Sequence, residues 1–167
     1  MEKLFAPWRM EYIKCGGTAA DGCIFCDKPK EPDMRSNLVL HVDPQVLVIM
    51  NRFPYNNGHL MVVPRKHVSS LDNLSESELL ALFNMVRIST GILRETCRPE
   101  GFNVGMNIGR VAGAGIDAHI HVHVVPRWNG DTNFMPILGE TKVVSEHLLS
   151  TYDGMLPYFQ KINSSRI

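Results

Sequence analysis

The sequence predicts an α+β fold with a mainly antiparallel sheet, a long helix and a C-terminal helix. Three observations lead there. Short β-rich runs separated by turn formers fill residues 38–64, one stretch with helical apolar spacing follows a capping signature at Ser75, and strand-like runs return beyond it. Strands, then a helix, then strands favour antiparallel pairing over repeated βαβ units.

The elements follow in chain order. Residues 1–37 are rich in turn formers and contain the pair Cys23 and Cys26. Leu38 to Val42 reads as a strand, Asp43-Pro44 as a turn, and Gln45 to Met50 as a second strand. Pro54-Tyr55-Asn56-Asn57-Gly58 breaks the chain before a third strand, His59 to Pro64. Ser75-Glu76-Ser77-Glu78 fits a capping box, in which the serine hydroxyl and the glutamate three residues on satisfy each other's backbone N–H groups. Leu79, Leu82, Phe83, Val86 and Leu93 then recur at helical spacing, and Arg98-Pro99-Glu100-Gly101 ends the helix. Phe102 to Asn107 is a strand candidate. The glycine-rich loop from Gly109 to Gly115 leads into a histidine strand at 119–125. The last segment, about 143–161, has helical spacing interrupted by Gly154 and Pro157.

At 167 residues with a 44% apolar share, the chain has the size and composition of one globular domain. We divide that domain into an N-terminal segment (1–37), a core (38–128) and a C-terminal segment (129–167). The formal net charge is zero, which argues against a nucleic-acid groove. A small anion can still bind in one local pocket. No apolar run approaches the roughly 18 residues of a membrane span, and the N-terminus lacks the apolar core of a signal peptide, so a cytoplasmic location is expected.

His119, His121 and His123 occupy alternate positions. On a strand they share one face, while Ile120, Val122 and Val124 take the other. One such histidine would be an ordinary wet-face residue. Three in alternation after a glycine-rich loop form a chemical surface, because imidazole can be nucleophile, acid, base or metal ligand near neutrality. Cys23 and Cys26 have the two-residue spacing that wraps a zinc ion from one loop, and His67 and His119 are the best candidates for the other two ligands. A redox pair is the rival reading.

The string His119-Ile120-His121-Val122-His123-Val124-Val125 matches the histidine-triad signature, and the chain resembles the histidine-triad (HIT) superfamily. Asn51 to Leu60 resembles its nucleoside-binding segment. Phe102 to Asn107, Pro126-Arg127-Trp128 and Ala6-Pro7-Trp8-Arg9 are similar to the bacterial branch of diadenosine tetraphosphate phosphorylases.

The resemblance implies an enzyme that cleaves a dinucleoside polyphosphate or related nucleotide. His121 would attack the α-phosphorus to give a nucleotidyl-histidine, His123 would contact phosphate and assist the leaving group, and His59 would support the triad. Asn51 would bind the ribose hydroxyls. Asn107, Gly113, Gly115 and Trp128 would contact the rest of the nucleotide. Cys23, Cys26, His67 and His119 would hold one structural zinc per chain, as in zinc-bearing relatives, and the protein would be a homodimer. One departure is Gly115, where relatives often carry a hydroxyl. It leaves phosphate and water both open as acceptor in the second step. A zinc-containing nucleotide-binding module with little turnover is the alternative function.

Overall fold

The computed structural model describes residues 22–131 and 146–164. Ala6-Pro7-Trp8-Arg9, much of the 1–37 segment and part of the 129–167 segment lie outside them. Among the described residues five strands form one antiparallel sheet: β1 (Val39–Val42), β2 (Val46–Met50), β3 (Leu60–Pro64), β4 (Gly101–Gly105) and β5 (Val122–Arg127). Their order is β1-β2-β3-β5-β4, which places the histidine-bearing strand between β3 and the edge strand β4. Within it, His123 sits opposite Met61 on one side and Gly105 on the other.

Among the described residues the α-helices are α1 (Ile24–Asp27), α2 (Glu76–Cys97) and α3 (Leu148–Ser164). The expected capping box is present: the Ser75 hydroxyl accepts from the Glu78 N–H at 3.3 Å, and the Glu78 carboxylate accepts from the Ser75 N–H at 2.7 Å. Arg98 ends α2 in the left-handed conformation, with φ 48°. Leu82, Met85, Val86, Ile92 and Leu93 carry its buried stripe, while Phe83 is 47% exposed and stands off the core face.

Two expectations need correction. The interruption expected at Gly154 and Pro157 does not occur, since α3 runs through both. Tyr152, Met155 and Phe159, at 1%, 0% and 0% exposure, form its buried stripe, and their burial outweighs the local helix-breaking tendency. The histidine strand begins at Val122 and not at His119. Ahead of it the chain bonds elsewhere: the Ile120 N–H donates to the Val68 carbonyl at 2.7 Å.

Gly58 turns the chain just before β3 with φ 72°. A Cβ there would meet Leu93, Cys97 and Pro126 at 3.2–3.3 Å, so glycine is required by conformation and by space. Among the described residues no helix is long and apolar enough to cross a membrane.

Candidate functional site

His121 is buried in the segment just before β5, and its Nδ1 lies 2.9 Å from the carbonyl oxygen of His119. A carbonyl only accepts, so Nδ1 carries the proton and the lone pair is on Nε2. Burial pushes this imidazole below its ordinary pKa, which favours the neutral form.

His123 has the opposite tautomer. The Tyr55 backbone N–H donates to His59 Nδ1 at 3.0 Å, so His59 holds its proton on Nε2. That Nε2–H donates to His123 Nδ1 at 2.9 Å, which leaves the His123 proton on Nε2. The Tyr55 ring lies 4.7 Å from the His59 ring and 5.7 Å from that of His123, and it walls this relay. Adjacent histidines thus present a lone pair and an N–H.

Both line a cavity of about 270 Å³ that also includes Asn51, Asn107, Gly113 and Gly115. The Asn51 side-chain oxygen accepts from the Phe53 N–H at 2.9 Å in an Asx turn, and this fixes the amide with its NH₂ still able to donate. The Asn107 amide lies 3.5 Å from the Gly113 carbonyl. Gly113 needs its glycine for a φ of 88°, whereas Gly115 is not in the positive-φ region. Trp128 is not among the lining residues. Its indole N–H donates to the Arg98 carbonyl at 3.2 Å, at the end of α2.

A second cluster adjoins the first. Ligand atoms of Cys23, Cys26, His67 and His119 all lie within 4.8 Å of one another. The Cys23 sulfur is 3.3 Å from His119 Nδ1, and the Cys26 sulfur is 3.4 Å from His67 Nδ1 and 3.6 Å from His119 Nδ1. A tetrahedral zinc with Zn–S of about 2.3 Å and Zn–N of about 2.0–2.1 Å has S···N edges of roughly 3.6 Å. The donor set and spacing therefore fit zinc. The tautomer fits as well, because His119 donates its Nε2–H to the Pro64 carbonyl at 2.8 Å and turns Nδ1 to the sulfurs. Burial and the adjacent Cys23 sulfur hold the Cys26 thiol above its ordinary pKa, a cost that a cation among the donors removes.

Sequence reasoning missed several residues here. Lys28 and Arg52 also line the cavity. Phe25, between the two cysteines, packs its ring against both His119 and His121. Its place inside the Cys-x-x-Cys motif was the available signal.

Comparison with known proteins places these features in context. A HIT domain family model matches residues 32–130. The AP-4-A phosphorylase of Mycobacterium tuberculosis is 37% identical over 158 residues, spanning 90% of this chain and 80% of that protein. A Zn-bound histidine triad family protein from Mycobacterium smegmatis superposes with a TM-score of 0.64 at 22% identity, covering 86% of this chain and 97% of the other. The diadenosine triphosphate hydrolase of Plasmodium falciparum superposes with a TM-score of 0.63 at 17% identity, covering 93% and 94%. These two structural likenesses bear on the fold.

Proposed function

This chain belongs to the HIT domain family, and we propose that it is an enzyme cleaving a dinucleoside polyphosphate, or a related adenine nucleotide, at the α-phosphorus. The observation that carries the reading is the pair of opposite tautomers on His121 and His123 at one cavity wall. The named relative's activity supports the substrate class.

In the first step the His121 Nε2 lone pair forms a bond to the α-phosphorus. The bond from phosphorus to the bridging oxygen breaks, and its electron pair leaves with the departing polyphosphate. The His123 Nε2–H hydrogen-bonds that oxygen as charge develops on it. Full proton transfer is unnecessary, because a polyphosphate is a weakly basic leaving group. The Nδ1–H bond to the His119 carbonyl steadies the positive charge that forms on the His121 ring. In the second step an oxygen of phosphate or water attacks phosphorus, and the bonding pair returns to Nε2. Phosphate yields ADP; water yields AMP and releases a proton. Asn51 holds the ribose diol, and Asn107, Gly113 and Gly115 contact phosphate oxygens.

We assign zinc to Cys23, Cys26, His67 and His119, where it would tie the N-terminal turn to the sheet. The Zn-bound relative supports the metal, as does the fit of the four donors. We also read the chain as a single domain that works in the cytoplasm as a homodimer.

The test is product analysis with diadenosine tetraphosphate, with and without millimolar phosphate. ADP plus ATP identifies phosphorolysis, and AMP plus ATP identifies hydrolysis. Tight binding with neither product overturns the enzymatic reading in favour of a binding module.

A further inference from the structure

The turn that carries the two cysteines also reaches the attacking histidine. It is short and tightly bonded: the Cys26 and Asp27 N–H groups donate to the Cys23 carbonyl at 2.8 and 2.9 Å. Between the cysteines stands Phe25, 2% exposed. Its ring centroid is 5.5 Å from that of His119 at an interplanar angle of 83°, and 5.0 Å from that of His121 at 51°. Neighbouring Ile24 and Lys28 line the nucleotide cavity, whereas Phe25 does not.

We infer that Phe25 is a positioning residue for His121, setting the tilt of the attacking imidazole from the turn that bears the metal donors Cys23 and Cys26. The inference rests on the reading of His121 as nucleophile. The imidazole torsion about Cβ–Cγ is broad and roughly two-fold, so rotamer preference alone does not aim Nε2. One hydrogen bond at Nδ1 pins one atom of the ring. Two ring contacts then bound its plane, His123 at 4.8 Å and 75° and Phe25 at 5.0 Å and 51°. His123 belongs to the reacting constellation, so Phe25 is the wall supplied from outside it. In-line attack at phosphorus is sensitive to such alignment, with misplacement by about 1 Å costing on the order of 100-fold. Phe25 lies outside the cavity lining, so its loss should slow the chemical step more than it weakens nucleotide binding.

The experiment uses the full-length, metal-bearing protein and the variants Phe25→Leu and Phe25→Tyr. Single-turnover quench with diadenosine tetraphosphate measures formation of nucleotidyl-His121, calorimetry measures AMP affinity, and elemental analysis measures metal. Phe25→Leu should form the intermediate roughly 10–100-fold more slowly, with AMP affinity within about threefold and metal content unchanged. Phe25→Tyr, which keeps the ring, should recover most of the rate. A Leu variant within about twofold of wild type would overturn the inference, as would affinity falling in step with rate. Should the Leu variant lose its metal or its fold, nuclear Overhauser contacts in the wild type decide. The nucleotide-free protein should show Phe25 ring protons against one orientation of the His121 ring, and several orientations would sink the idea. If the wild type forms no nucleotidyl-histidine, the nucleophile assignment fails, while the Overhauser data still report whether Phe25 fixes the ring.

Discussion

Single residues divide the chemistry by where their protons sit. His121 and His123 are two residues apart and share a composition, yet one offers a lone pair and the other an N–H because their Nδ1 atoms face different partners. His121→Ala should abolish turnover while leaving AMP affinity within about tenfold, since it removes the covalent bond but little contact area. Retention of substantial activity by that variant would exclude the covalent route. Gly115 has a simpler role to test. Its backbone lies outside the positive-φ region, so a serine there meets no left-handed backbone strain and would add a hydroxyl to the cavity wall. If phosphate is the acceptor, Gly115→Ser should lower the apparent phosphate KM by about tenfold or more, as one added bond to a charged group worth about 1.5–3 kcal/mol would give. Steady-state rates across a phosphate series would show it. The triad, His59, Asn51 and Asn107 were all legible as a motif with ordered neighbours. Phe25 and the tautomers were not, because they depend on which carbonyl or ring arrives from elsewhere in the chain.

At the scale of elements, short bonded segments hold the site together. The loop after β5 is fastened by Arg127 and Asp131, whose side chains meet at 2.6 and 2.8 Å, while Asp131 also accepts from the Trp128 N–H and the Asn56 amide. The Arg127 guanidinium, first among these partners, holds the Asp131 carboxyl at about 2, below its ordinary 3.8. A depressed carboxylate contributes stability that is complete above its unfolded pKa and is lost as pH falls through the folded one. Asp131→Asn should therefore melt lower than wild type at neutral pH, with the gap closing as pH drops from about 4 toward 2. Calorimetric Tm across that range checks the sign. The turn before β3 depends on Gly58 for conformation and clearance. Gly58→Ala should cost about 1–3 kcal/mol of stability, as expected for strain at a positive-φ position, and denaturant unfolding would measure it. The capping box of α2 was legible because it is a local code. The continuity of α3 through Pro157 was not, since burial against the rest of the fold decided it.

For the whole molecule, the cluster of Cys23, Cys26, His67 and His119 joins distant parts of the chain. Cys23 and His119 are 96 residues apart, and Cys26 and His67 are 41 apart, so a bound ion would cross-link the N-terminal turn to the sheet. Protein purified without added metal should contain about one zinc per chain, and chelation should lower Tm. A metal-free protein of unchanged Tm would count against the site. Assembly has its own signature. Among the described residues strand β4 is an edge of the sheet, with Val104 47% exposed on it. An unprotected edge invites pairing with another chain. A homodimer built there should shift toward one chain in mass measurements when Val104 is replaced by Asp.

What depends on neighbours along the chain can be read from residue order alone. This includes the strand and helix periods, the Ser75 capping box, the glycine turn at Gly58, the alternation of histidines and the Cys-x-x-Cys spacing. From these came the α+β class and the kind of chemistry. The folded chain alone settles what depends on distant partners. It brought His67 and His119 to the cysteines, assigned opposite tautomers to His121 and His123, set Trp128 against Arg98 and placed Phe25 beside His121. The difference is one of range. Periodicity and capping act over a few residues, whereas the proton position on a buried imidazole is set by whichever acceptor the folded chain delivers to it.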